Sequence, residues 1–380
     1  MESLKNDTIF FLGAGFSKAA GAPLQSELIE KVLDYDGYNY GNPIADYKSR
    51  LNLFLEDAFR LNDDQKRRFN LEDFYTPIDK CINERISFRG YSVEYIRQIR
   101  NELSRLISIV IDNELVNYEG NTDFLDAFCK YIVRNSNGSP SKKKCSIITT
   151  NWDILLDRLI FQIMDHDRSN GGKLSTIDHG THVTGLGEER YQQVIPAMTA
   201  ISKGGYTVKL YKIHGSLNWL KCPSCDRLYV NPLLKVGLND VDLEQNCRFC
   251  IRQFTMPEGI EGGFILQPQI IYPTFLKELG TSHFNNIWNS VSRDLSETKR
   301  VVFLGYSFQQ ADFEIRQLLA RRLPDDCKII NVGNSPELAE GDEGYANSAQ
   351  SRYKNFFGGR PYQYLGCGAH EFVEKHLKDL

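Results

Sequence analysis

Apolar residues gather in five short runs, and each run stops at or near a small or polar residue. Thr8–Leu12 ends at Gly13, Cys145–Thr149 leads into Asn151, 207–213 ends at His214, Arg300–Leu304 ends at Gly305, and Lys328–Val332 carries Asn331 near its end. Short runs with apolar residues on successive positions predict strands buried on both faces, as in a parallel sheet. Between the runs the spacing changes to three and four residues. Ile96, Ile99, Leu103, Leu106, Ile107 and Val110 make the apolar stripe of an amphipathic helix over 95–110. Similar spacing predicts helices over 25–33, 51–61, 71–82, 124–133, 154–163 and 313–323. Gly, Asn and Pro over 35–43 predict a loop, and the Gly-, Ser-, Thr- and His-rich stretch 165–187 predicts a loop facing the strand ends. The alternation of strand and helix argues for an α/β chain with a Rossmann-like, parallel, doubly wound sheet. The stretch 36–140 reads as a helical insertion after the first strand-helix unit.

At 380 residues the chain is long for a single core, which favours a large domain with insertions or two domains. A net charge of −4, with no long basic stretch beyond Lys142, Lys143 and Lys144, argues against direct nucleic-acid binding. No segment approaches the roughly 18–20 apolar residues of a membrane span, and the first residues lack signal-peptide regions, so a cytoplasmic protein is expected.

Nine cysteines, an odd number, include two Cys-x-x-Cys pairs: Cys222 with Cys225, and Cys247 with Cys250, separated by 21 residues. Four thiolates close a tetrahedral Zn2+ shell and leave no position for a substrate, so a structural zinc is expected. It would sit in a small zinc-ribbon module over 216–263, with the sheet domain assembled from 1–35, 141–215 and 264–380. Cys81, Cys129, Cys145, Cys327 and Cys367 lie among apolar neighbours and read as small core residues.

Open α/β sheets gather ligands at the carboxyl ends of their strands. Gly13, Ala14, Gly15, Phe16 and Ser17 therefore predict a turn whose backbone N–H groups approach a pyrophosphate. A hydride-transfer site would add a third glycine and an acidic residue ending a second strand. Here the third glycine position is unfilled, and Glu30 and Asp34 fall in a helix, which disfavours redox chemistry.

In order along the chain, the glycine turn, Thr149-Thr150-Asn151-Trp152-Asp153, Ile213-His214-Gly215-Ser216, the cysteine pairs and Gly305-Tyr306-Ser307 resemble the sirtuin family. The resemblance covers nearly the whole chain outside 36–140. It implies NAD+ as substrate, with Gly13, Ala14, Gly15 and Ser17 at its pyrophosphate and Asn151 and Asp153 at the nicotinamide ribose and nicotinamide. It also implies a general base at His214, phosphate and ribose contacts at Gly305, Tyr306 and Ser307, and an adenosine-ribose contact at Asn331. Gln269 and Ile270 are implied beside an acyl-peptide channel. The family's deacylases continue the turn with GIPDFR, whereas this chain reads Gly21-Ala22-Pro23-Leu24-Gln25-Ser26, without the Asp, Phe and Arg. The segment Ser216-Leu217-Asn218-Trp219 departs as well. The chain therefore looks like the sirtuin-like NAD+ hydrolases of prokaryotic antiphage defence, in the compact form that resembles partners of a HerA-type ATPase, and a homo-oligomer is implied. The alternatives are an NAD-dependent protein deacylase and a non-catalytic subunit that binds NAD or ADP-ribose.

Cleaving the bond between ribose and a cationic nicotinamide needs electrostatic support and a placed nucleophile more than acid catalysis. Asn151 can orient water or ribose, Asp153 can meet the carboxamide, and His214 can accept a proton. Structural alternatives stand beside these roles. Asp153 and Asp312 each precede a helix and could cap it, His179 and His182 are expected in solvent, and Trp152 and Trp219 read as core or pocket wall.

Overall fold

The computed structural model of the protein describes residues 8–37, 43–136, 144–186, 194–233, 245–254 and 263–380. Its strands are β1 (Thr8–Leu12), β2 (Cys145–Thr149), β3 (Ser175–Asp178), β4 (Thr184–Gly185), β5 (Tyr206–Lys212), β6 (Gly215–Lys221), β7 (Leu228–Val230), β8 (Gln267–Ile270), β9 (Arg300–Leu304), β10 (Lys328–Val332) and β11 (Tyr362–Leu365). Seven of them form one sheet in the order β11-β10-β9-β1-β2-β5-β3, with every neighbouring pair parallel. This is a Rossmann-like fold. After β1 the chain lays down β2 and the edge strand β3 on one side, inserts β5 between them, then crosses to β9, β10 and β11 on the other. The crevice where the connections diverge, between β1 and β9, is where such sheets hold ligands.

Burial on both faces explains the unbroken apolar runs. Phe10 and Leu12, with Ile147, Val302 and Ile330, pack under helices Asp123–Ser136 and Leu155–Ser169 through Phe128, Ile132, Ile160 and Met164. Their sequence neighbours Ile9 and Phe11, with Ile148, Phe303 and Ile329, face helices Ser282–Glu297, Phe313–Arg322 and Ala349–Phe357. Successive side chains of a strand point to opposite faces, so each run must be apolar at every position.

Helices Pro43–Phe59, Leu71–Glu84 and Val93–Val116 make a core of their own with helix Leu28–Asp34, centred on Leu51, Phe54, Phe74, Ile78, Ile99 and Leu103. Ser92 caps the longest of them, its side chain accepting from the Tyr95 N–H. Among the described residues no helix is long and apolar enough to cross a membrane.

Residues 165–186, the described part of the loop expected over 165–187, depart from it. The preceding helix runs on to Ser169, and Ser175–Asp178 forms β3 at the sheet edge beside β5. Polar composition hid this strand. The Thr176 hydroxyl is satisfied by the Ile195 carbonyl at 2.8 Å, which lets a hydroxyl residue sit buried in a strand.

A second sheet, β4-β7-β6-β8, carries the cysteine pairs. Its β6 runs antiparallel to both β7 and β8. Leu220, Tyr229, Phe264 and Leu266 pack around Cys222, Cys247 and Cys250.

Candidate functional site

A cavity of about 500 Å3 opens at the carboxyl ends of β1, β2, β5, β9 and β10. Of the residues singled out from the sequence, Ala14, Gly15, Ser17, Asn151, Asp153, His214, Gly305, Tyr306, Ser307 and Asn331 all line it. Gly13 does not.

The glycines there serve first to let two turns interlock. The Gly13 N–H donates to the Leu304 carbonyl at 3.1 Å and the Gly15 N–H to the Gly305 carbonyl at 2.8 Å. A Cβ on Gly13 would stand 2.6 Å from the Tyr306 Cα, and one on Gly305 would stand 2.3 Å from the Phe16 nitrogen. Gly305 also has φ +62, a left-handed conformation. The backbone donors of Gly13 and Gly15 are thus committed inside the protein. Replacing Gly305 by alanine is expected to cost about 2–4 kcal/mol from backbone strain and overpacking. Urea unfolding of the variant checks this, and an unchanged midpoint would contradict the interlock.

Asn151, Ser17 and Asp153 form one hydrogen-bonded cluster. The Asn151 amide nitrogen donates to the Gly13 carbonyl at 2.9 Å and the Ser17 hydroxyl at 2.8 Å, and Ser17 in turn donates to Asp153 Oδ2 at 2.7 Å. This leaves the Asn151 carbonyl oxygen for a ligand. Asp153 Oδ1 accepts from the Leu155 N–H at 3.1 Å, so the carboxylate also tethers the start of the next helix. Beneath it, fully buried Lys212 bonds the Asp153 carbonyl and pairs with buried Asp157 at 2.9 Å. Removing one partner of such a pair costs roughly 3–5 kcal/mol, because the other charge stays buried. The loop that carries Asn151 and Asp153 is therefore held rigidly.

His214 stands where the chain leaves the large sheet for the small one. Gly215 follows it with φ +76, and a Cβ there would lie 2.1 Å from the Gln269 carbonyl oxygen. Glycine is needed for β6 to meet β8, and the His214 carbonyl then accepts from the Ile271 N–H at 2.9 Å. The imidazole Nε2 is shielded from solvent and has no hydrogen-bond partner among the described residues. Burial pushes the imidazole down to about 4, with Lys277 adding to the effect and Asp312 opposing it. At neutral pH the ring is uncharged and able to accept a proton.

Asp312 does not cap the helix it precedes. Its carboxylate accepts from Lys277 at 2.8 Å through Oδ1 and from the Tyr306 hydroxyl at 2.8 Å through Oδ2. Tyr306 lies mostly in the core, its ring 4.7 Å from that of Phe11, and presents only this hydroxyl to the cluster. Asn331 is buried in the opposite wall, its amide bonded to the Tyr362 hydroxyl at 3.2 Å. Lys277 was not anticipated. The only signal was a single lysine closing the mostly apolar stretch 270–276.

Other expectations divide. His179 is buried and not in solvent, with Nδ1 3.0 Å from the Leu210 carbonyl and the ring against Trp219, whereas His182 is exposed. Trp219 is core and Trp152 is cavity wall. Gln269 and Ile270 line a second cavity, of about 730 Å3, that shares Ile271, Tyr272 and Thr274 with the first.

The sulfur atoms of Cys222, Cys225, Cys247 and Cys250 lie within 4.8 Å of one another. Cys222 and Cys250 are 3.8 Å apart, and Cys225 and Cys247 3.7 Å. A tetrahedron with Zn–S bonds of about 2.3 Å has edges of about 3.8 Å, so the donor set fits a zinc ion.

No family model matches the sequence, and no curated protein matches it. Among solved structures, the chain is similar to a Sir2 enzyme at 12% identity, covering 98% of this chain and 92% of that one with a TM-score of 0.42. It is similar to a Sir2 homologue in complex with ADP-ribose at 13% identity, covering 100% and 96% with a TM-score of 0.41. A Sir2 homologue in complex with NAD aligns at 13% identity over 98% and 88%, with a TM-score of 0.40.

Proposed function

We propose that this chain hydrolyses NAD+ at the bond between nicotinamide and ribose, releasing ADP-ribose and nicotinamide. What carries the reading is that Ser17, Asn151, Asp153, His214, Ser307 and Asn331 line one cavity, with a shielded imidazole nitrogen in its wall that has no partner among the described residues. The adenosine half of the dinucleotide would lie toward Asn331 and Gly333, the pyrophosphate across Ala14, Gly15 and Ser307, and the nicotinamide ribose toward Asn151 and His214.

The bond from ribose C1′ to the pyridinium nitrogen breaks, and its electron pair leaves with neutral nicotinamide. Positive charge then develops on the ribose, next to the polar cluster of Asn151 and Asp153. A water oxygen bonds to C1′ and its proton passes to His214 and on to solvent. Water is favoured over acyl-lysine as acceptor because Leu24, Gln25 and Ser26 line the wall where the deacylases the sequence resembles carry Asp, Phe and Arg. The four cysteines would hold Zn2+ in a structural role, away from this chemistry.

In the cell, such an activity would deplete NAD+ as a gated effector of antiphage defence, in a cytoplasmic oligomer with a HerA-type ATPase as partner. Incubating the full chain with NAD+, with and without an acetylated peptide, tests the reaction. Free ADP-ribose without peptide is expected. Product that forms only with peptide would make the chain a deacylase, and binding without turnover would make it a non-catalytic subunit.

A further inference from the structure

Two charged groups that share the cavity wall with His214, Lys277 and Asp312, have no binding role among the motifs read from the sequence. Lys277, in the segment after β8, is almost completely buried and pairs with Asp312 at 2.8 Å and Glu314 at 3.4 Å. Its ammonium also donates to the Ala311 carbonyl at 3.1 Å. Asp312 forgoes the helix-capping bond open to it and places one carboxylate oxygen on Lys277 and the other on the Tyr306 hydroxyl. Lys277, Asp312, Tyr306 and His214 all line the same cavity. Of the other charged groups that line the cavity, Asp153 is tied to Ser17 and to the Leu155 N–H, Glu72 accepts from the Gln25 amide, and Lys18 pairs with Glu27. Asp312 and Lys277 are thus a charged pair sharing the cavity wall with the imidazole, the carboxylate favouring its charged form and the ammonium opposing it.

We propose that Asp312 and Lys277 are positioning residues for His214. The Asp312 carboxylate stabilises the imidazolium that forms when His214 takes a proton in the reaction, and Lys277 holds that carboxylate so that it does not draw a proton onto the ring beforehand. This rests on His214 acting as the base in NAD+ cleavage. A carboxylate left without its lysine would favour a charged ring and remove the base over a wider acidic range of pH. Without the carboxylate, the ring would stay neutral but accept a proton less readily.

The two variants therefore move His214 in opposite directions. The test is the imidazole titration in full-length protein labelled at histidine, with the His214 signal assigned from its loss in His214→Ala, alongside NAD+ turnover against pH. Lys277→Met is expected to raise the titration midpoint of His214 by about one pH unit or more. Activity needs the neutral ring and is lost as pH falls through that midpoint, so the acidic limb should move toward neutrality. Asp312→Asn is expected to lower the midpoint and cut kcat about tenfold with KM for NAD+ little changed. Lys277→Arg should restore the wild-type limb. A His214 midpoint unchanged in both variants would overturn the proposal. The titration needs no turnover, so wild-type protein that leaves NAD+ intact would instead overturn the reaction proposed above and the role of His214 as base.

Discussion

Replacing His214 by alanine is expected to lower NAD+ turnover by about 10²–10⁴-fold, the range that a positioned general base contributes. The substitution should leave the fold intact. The imidazole Nε2 has no partner to lose among the described residues, and its removal takes away a shielded polar atom whose desolvation is uncompensated. The structural work at this point in the chain falls to Gly215 and to the His214 backbone carbonyl, which alanine keeps. Asn151→Ala is a less clean test. It would remove two hydrogen bonds that hold the glycine turn, and so lower stability by about 1–3 kcal/mol together with activity. Turnover of NAD+ by His214→Ala at the wild-type rate would place the chemistry elsewhere.

The second large effect is expected at the cysteine cluster. Elemental analysis should find close to one zinc per chain, and less than about half an equivalent would count against a four-cysteine site. Stripping that ion with a strong chelator is expected to unfold the small sheet, because such ions contribute apparent free energies of about 10–16 kcal/mol in zinc-finger peptides. Without the ion, four cysteines brought within 4.8 Å of one another are packed by a cluster of only a few apolar side chains. The damage should reach the cavity, since β6 begins at Gly215, immediately after His214, and ends beside Cys222. Cys247→Ser should reproduce the chelator's effect on both the thermal midpoint and NAD+ turnover. Unchanged values for both after metal removal would show that the ion is dispensable.

Much of the site was legible because strand ends and ligand sites coincide in a parallel sheet. Once Thr8–Leu12, Cys145–Thr149 and Arg300–Leu304 are recognised as buried runs, the residues that follow them must share one edge. Asn151 and His214 could be named for that reason, and Asn331 from the resemblance. What each does was less accessible. Gly13 and Gly305 announce a tight approach, but only the fold shows that they approach each other before any ligand. Asp312 looked like a helix cap, and the choice between cap and ion pair depended on Lys277, 35 residues earlier in the chain. His179 carries the neighbours of a loop residue, and its burial against Trp219 goes with the pairing of β3 to β5, which brings the Leu210 carbonyl to its ring.

Local chemistry thus determined from sequence alone where five strands of the large sheet run and stop, which cysteines gather and which polar residues end up at those strand ends. Those properties depend on periodicity and turn-forming residues a few positions apart, where chain connectivity enforces proximity. Tertiary structure decided the charge state of His214, the partner of Asp312 and the commitment of the glycine donors. Each of these depends on burial and on groups far away in sequence, and a buried charge is governed by whichever partner the fold brings within a few ångströms.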